Sequence, residues 1–86
     1  MNTIAYKVND GRVKLYKQGD TAETFRAGRE LISRATGKGF RMVRRSQGNM
    51  GVHLTYSDGK TNVTLYFFYS QGEIDMFNFC CNPTWA

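Results

Sequence analysis

Thr61-Asn62-Val63-Thr64-Leu65-Tyr66-Phe67-Phe68-Tyr69 is the most β-prone run in the chain, and the fold turns on how it is read. Its β-branched and aromatic residues suit a pleated, half-buried surface. Just before it, Ser57-Asp58-Gly59-Lys60 is strong hairpin chemistry, and upstream of that Val52, Leu54 and Tyr56 alternate with Gly51, His53 and Thr55. Beyond it, Gln71-Gly72 reads as another turn leading into a last strand over residues 73–81. On that reading Val63, Leu65, Phe67, Ile74 and Met76 line one sheet face, while Tyr66, Phe68, Phe77 and Phe79 line the other.

Moving toward the start, Phe40 and Met42 oppose Arg41 and Val43 in a further strand that gives way to a loop at Ser46-Gln47-Gly48-Asn49. Asp20 stands three residues before Glu23 in a capping-box spacing, and Ala22, Phe25, Gly28, Ile32 and Ala35 follow at helical intervals. This predicts a helix over residues 21–36, closed at Gly37 by a left-handed residue. At the start, Ile4, Tyr6 and Val8 alternate with their neighbours, Asn9-Asp10-Gly11 turns the chain, and Val13 and Leu15 resume the pattern as a hairpin. The expected architecture is α+β: a mostly antiparallel sheet with one helix packed on one face, in the order ββαββββ, and residues 82–86 as a tail. The 86 residues hold one hydrophobic core and form a single domain, residues 1–86.

A helix of about 16 residues covers only one face of such a sheet. The aromatics Tyr66, Phe68, Phe77 and Phe79 therefore call for a cover: the sheet curling on itself, a second copy of the chain in a homodimer, or a ligand that stacks on rings.

Charge is the strongest functional signal. All 12 Lys and Arg fall within residues 1–60 against five acids, so that part carries +7, and the remainder carries −2 from Glu73 and Asp75. Arg26, Arg29, Arg34, Lys38, Arg41, Arg44 and Arg45 face one acid, Glu30, over twenty residues. Lys and Arg neutralise phosphate backbones with release of counterions, and Arg adds bidentate contact and stacking on unpaired bases. We assign Arg26, Arg34, Lys38, Arg41, Arg44 and Arg45 to RNA phosphates. RNA is preferred to DNA because no helix-turn-helix or zinc finger is present to enter a major groove, whereas a basic surface beside ring-bearing strands is a recurrent way to hold single-stranded RNA; with neither an RRM nor a KH signature visible, no known module is claimed.

Catalysis has little to stand on. His53 is the single histidine, and a metal-free ribonuclease would need it as general base with Arg44, Arg45 or Lys60 on the phosphate and Tyr56 assisting. The strand alternation instead makes His53 a polar residue on the outer side, opposite Val52 and Leu54. Gly59-Lys60-Thr61 lacks the upstream glycine of a phosphate-binding loop. Cys80 and Cys81 are neighbours, too few for a zinc site and awkward as a disulfide, so they are expected as reduced, at least half-buried thiols, with no metal and no cofactor. No apolar run approaches the roughly 18 residues of a membrane span, and residues 1–10 lack the pattern of a signal peptide, so a soluble, cytoplasmic protein is expected.

In length, charge and the basic stretch Gly37-Lys38-Gly39-Phe40-Arg41-Met42-Val43-Arg44-Arg45, the chain resembles the TifA type of small phage protein. That resemblance implies a phage-encoded antagonist of antiviral defence, one that binds RNA and inhibits a type III toxin–antitoxin endoribonuclease in the host cytoplasm. The expected function is thus non-catalytic RNA binding, with RNA and a host endoribonuclease toxin as partners. Two alternatives stand beside it: a protein–protein interaction module that grips through the aromatic sheet face without RNA, and the small ribonuclease built on His53.

Overall fold

The computed structural model describes residues 2–86. The chain is α+β, with strands β1 (Asn2–Val8), β2 (Lys14–Gly19), β3 (Arg41–Gly48), β4 (Gly51–Ser57) and β5 (Asn62–Phe68) and helices α1 (Thr21–Gly37) and α2 (Gln71–Cys81). The five strands form one antiparallel sheet in the order β2-β1-β5-β4-β3. The β-prone run that begins at Thr61 becomes β5, next to the first strand in the middle of the sheet.

The expected sixth strand is a helix. Residues 73–76 alternate Glu, Ile, Asp, Met, which imitates a strand. The deciding signal lies just upstream, where Ser70 caps the helix in the spacing of a capping box and Glu73 reaches back to the residue before the cap. The Ser70 hydroxyl accepts from the Glu73 N–H at 3.3 Å, and the Glu73 carboxylate accepts from the Tyr69 N–H at 2.6 Å. The helix ends at Asn82, which sits in the left-handed region at φ 44° and is followed by Pro83. Ile74, Phe77 and Cys81 then share one helical face instead of splitting between two faces of a sheet.

This correction settles what covers the second sheet face: α2 does. Phe77 packs there with Ala5, Val13, Tyr66 and Phe68 in the main buried cluster, and Met50, Ile74 and Trp85 close around it. Tyr66, Phe68 and Phe77 are 4%, 1% and 3% exposed, so they are interior rings and not a stacking platform or a dimer interface. Of the four aromatics assigned to that surface only Phe79 remains outside, 85% exposed. The argument for a homodimer, which rested on an uncovered face, falls with them.

Helix α1 covers the opposite face over β1 and β2. Asp20 caps it by accepting from the Glu23 N–H at 2.8 Å. The buried stripe is Thr24 and Gly28, while Phe25 points outward at 61% exposure with the Arg29 guanidinium over its ring. Gly28 lets the helix approach closely, because a Cβ there would collide with the Phe67 ring. The positive-φ glycine beyond the helix is Gly39, not Gly37. The expected loop at residues 46–49 is instead strand: β3 runs on to Gly48, and Asn49-Met50 makes a tight turn into Gly51, whose φ is +86°. Nor are the last five residues a free tail. Val13 donates to the Thr84 carbonyl and accepts from the Ala86 N–H, each at 2.8 Å, and the Trp85 indole donates to the Asn78 side chain at 2.7 Å.

Candidate nucleic-acid interface

Strand β3 closes one edge of the sheet and is exposed at all eight residues. Its register distributes the basic cluster. Arg41 pairs with Ser57 and Met42 with Tyr56; a bulge at Val43 then shifts the phase, so that Arg44 pairs with Thr55 and Arg45 with Leu54. Tyr56 and Leu54 point toward α1, whereas Ser57 and Thr55 point toward α2. Arg45 therefore belongs to the α1 side, and Arg41 and Arg44 belong to the α2 side. The sequence gives no hint of this division, because the bulge that creates it has no composition signature.

On the α1 side, helix α1 leaves the β5–β4–β3 part of the sheet incompletely covered. A cleft of about 360 Å³ opens between the end of the helix and strands β2, β1, β5 and β4. Its floor is apolar, from Val63, Leu65 and Val8, and four rings stand around it: Tyr6, Tyr16, Phe40 and Tyr56. Tyr6 and Tyr16 meet edge to face at 6.2 Å, and Tyr56 is buried while the other three rings are half-buried. Arg34 and Lys38, one helical turn apart and both exposed, belong to its walls. Arg45 lies in the cross-strand row Tyr6, Leu65, Leu54, Arg45, and its guanidinium donates to the Gln47 side chain at 3.1 Å.

Arg26 is not part of this group. It sits two turns earlier on α1, beside Lys17, Glu23 and Glu30. The structure thus brings Arg34 and Lys38 together in the walls of an aromatic cleft, places Arg45 on the same sheet face but on the edge strand outside that lining, puts Arg41 and Arg44 on the far face of that strand, and leaves Arg26 apart. The rings Tyr6, Tyr16 and Phe40 went unassigned in the sequence, because they come from strands and a connection that only tertiary pairing brings to one place.

On the α2 side, a second cleft of about 690 Å³ has mixed walls, with charged and hydroxyl side chains beside Val13, Met50, Phe77 and Pro83. One cross-strand row of its floor reads Lys7, Thr64, Thr55, Arg44 from β1 to β3. The next row reads Ala5, Tyr66, His53, Ser46 and runs under α2. His53 is half-buried there, not on an outer surface, with its ring edge to face against Tyr66 at 4.8 Å and Phe77 at 5.3 Å. Its Nε2 lies 2.8 Å from the Met50 carbonyl. A carbonyl only accepts, so Nε2 carries the proton and Nδ1 is the acceptor of the neutral ring. Burial holds the His53 pKa below the ordinary imidazole value; the Met50 bond opposes this and the Lys7 charge adds to it.

Of the residues named for a ribonuclease, only some share a face. Arg44 shares the α2-side cleft with His53, but Tyr56 and Arg45 point to the opposite face and Lys60 sits in the β4–β5 turn. Cys80 and Cys81 are exposed free thiols, not buried ones, because residues 80 and 81 end a helix and do not occupy a strand. Among the described residues, no helix is long and apolar enough to cross a membrane. No protein family, curated protein or solved structure matches this chain.

Proposed function

We propose that the protein binds single-stranded RNA without cleaving it, at the α1-side cleft and along strand β3. The observation that carries this reading is the cleft itself: four aromatic rings around an apolar floor, with two exposed cations in its walls and a third on the adjoining edge strand. Arginines on an exposed edge strand also discourage pairing with another sheet, and that use alone would account for β3. It would not account for Arg34 and Lys38 on a helix, or for half-buried rings beside them. An unpaired base stacks on aromatic faces while its phosphates meet Lys and Arg, which is the chemistry this cleft offers. Its volume suits one base, and Arg41 and Arg44 continue the positive path around the edge.

Five cations, Arg34, Lys38, Arg41, Arg44 and Arg45, set the expected salt dependence. Binding of a fluorescent ten-nucleotide single strand, followed by anisotropy, should weaken with a log–log slope of roughly −3 to −4. Replacing Arg34, Lys38 and Arg45 together by Ala should cost on the order of 30- to 100-fold in affinity. Binding that ignores salt, or a folded triple variant with wild-type affinity, refutes the reading. Following the TifA-type resemblance, we place the RNA in a host toxin complex. In cells carrying a type III toxin–antitoxin pair, the wild-type protein should relieve toxicity and the triple variant should not.

A further inference from the structure

We propose that the α2-side cleft is a second site, sharing Arg44 with the edge-strand path, for a terminal phosphate, the phosphomonoester dianion of a nucleotide or of a nucleic-acid end. Three observations converge on it. First, the row Lys7, Thr64, Thr55, Arg44 crosses four strands and places a cation at each end of two hydroxyls. With strands about 4.8 Å apart, the two cationic residues are separated by about 14 Å across the sheet, a gap that two long side chains leaning inward can span. Arg12, from the β1–β2 loop, joins the same cleft, and Asp10 is its one acid. Three bases against one acid leave +2, which matches a monoester that carries close to two negative charges at neutral pH.

Second, the Thr55 and Thr64 hydroxyls lie 3.2 Å apart and bond to each other. In such a pair one hydroxyl donates and the other keeps its own proton, so one O–H is left to donate to an incoming oxygen. Third, His53 flanks this row with its Nε2–H fixed on the Met50 carbonyl, leaving Nδ1 as the ring's remaining hydrogen-bonding atom. Protonated, Nδ1 becomes a donor to an anion. A dianion in the cleft would favour that charged form, against burial and the Lys7 charge. The cleft, at about 690 Å³, has room for a nucleotide and not only for inorganic phosphate.

The test compares short single strands of one sequence bearing a 5′-phosphate, a 3′-phosphate or hydroxyls at both ends. One phosphorylated form should bind at least fivefold more tightly than the hydroxyl form, and Lys7→Gln with Arg12→Gln should erase that preference while leaving binding of the hydroxyl strand within about twofold. In the wild-type protein, the His53 imidazole resonances should titrate at higher pH when millimolar mononucleotide is present. A free mononucleotide that displaces the phosphorylated strand at equal concentration identifies a nucleotide site; a mononucleotide that displaces it only at large excess identifies a strand-end site. Equal binding of all three strands, with His53 resonances unmoved by nucleotide, overturns the proposal. The single-strand reading of the α1-side cleft fails by a different result, the loss of salt-dependent binding to the hydroxyl strand.

Discussion

At the scale of single residues, His53 is the most informative side chain. Its ring is held between Tyr66 and Phe77, and burial makes its charged form costly. The sign of the consequence is fixed by linkage. The folded pKa lies below the unfolded value of about 6.5, so the unfolded state binds the proton more readily. The stability from keeping the ring neutral is complete above that value and is lost as the pH falls through it toward the folded pKa. Urea midpoints should therefore decline between pH 7.5 and 5.5, and His53→Gln should flatten that part of the profile. A wild-type profile that rises on acidification in this window would show that the ring gains, not loses, by charging. Gly51, like Gly28, is a residue whose identity the fold dictates. Its φ is +86°, and a Cβ there would collide with the Phe67 carbonyl.

At the scale of elements, α2 is the segment on which the structure depends and the one hardest to read from its composition. Its capping serine gives a direct measurement: Ser70→Ala removes the acceptor of the Glu73 N–H and should lower global stability by about 1 kcal/mol by denaturant titration. An unchanged midpoint would mean that packing of Phe77 alone sets the helix start. The five strands and α1 were legible in the sequence because alternation, turn chemistry and the Asp20 cap agreed with one another. Helix α2 was not, because Glu73 to Met76 alternate and Phe77 and Phe79 favour strands, while the decisive Ser70 and Glu73 pair sits at its border. The same error put Tyr66, Phe68 and Phe77 on an open face. The basic residues were legible as a composition, but their division between two faces depends on the Val43 bulge and the register of β3.

At the scale of the whole molecule, the radius of gyration of 12.3 Å is that of a compact domain of this length. The strand order joins two locally connected parts, β1-β2-α1 and β3-β4-β5, through the central pairing of β1 with β5. That pairing links residues some sixty positions apart, such as Ile4 with Phe67. Pairing at such separation is slow to form, so refolding followed by the fluorescence of Trp85, the single tryptophan, should take milliseconds to seconds. A microsecond relaxation would mean that the central pairing is not what limits folding.

The same central pairing has a meaning in time. On a ribosome the chain emerges from its amino end, so β1 appears well before its neighbour β5. Until then β1 offers one edge with no partner, while α1 has already emerged to shelter one of its faces. The nascent protein is at its most vulnerable to unwanted strand pairing in its own middle, and that exposure ends only when residues 62–68 arrive.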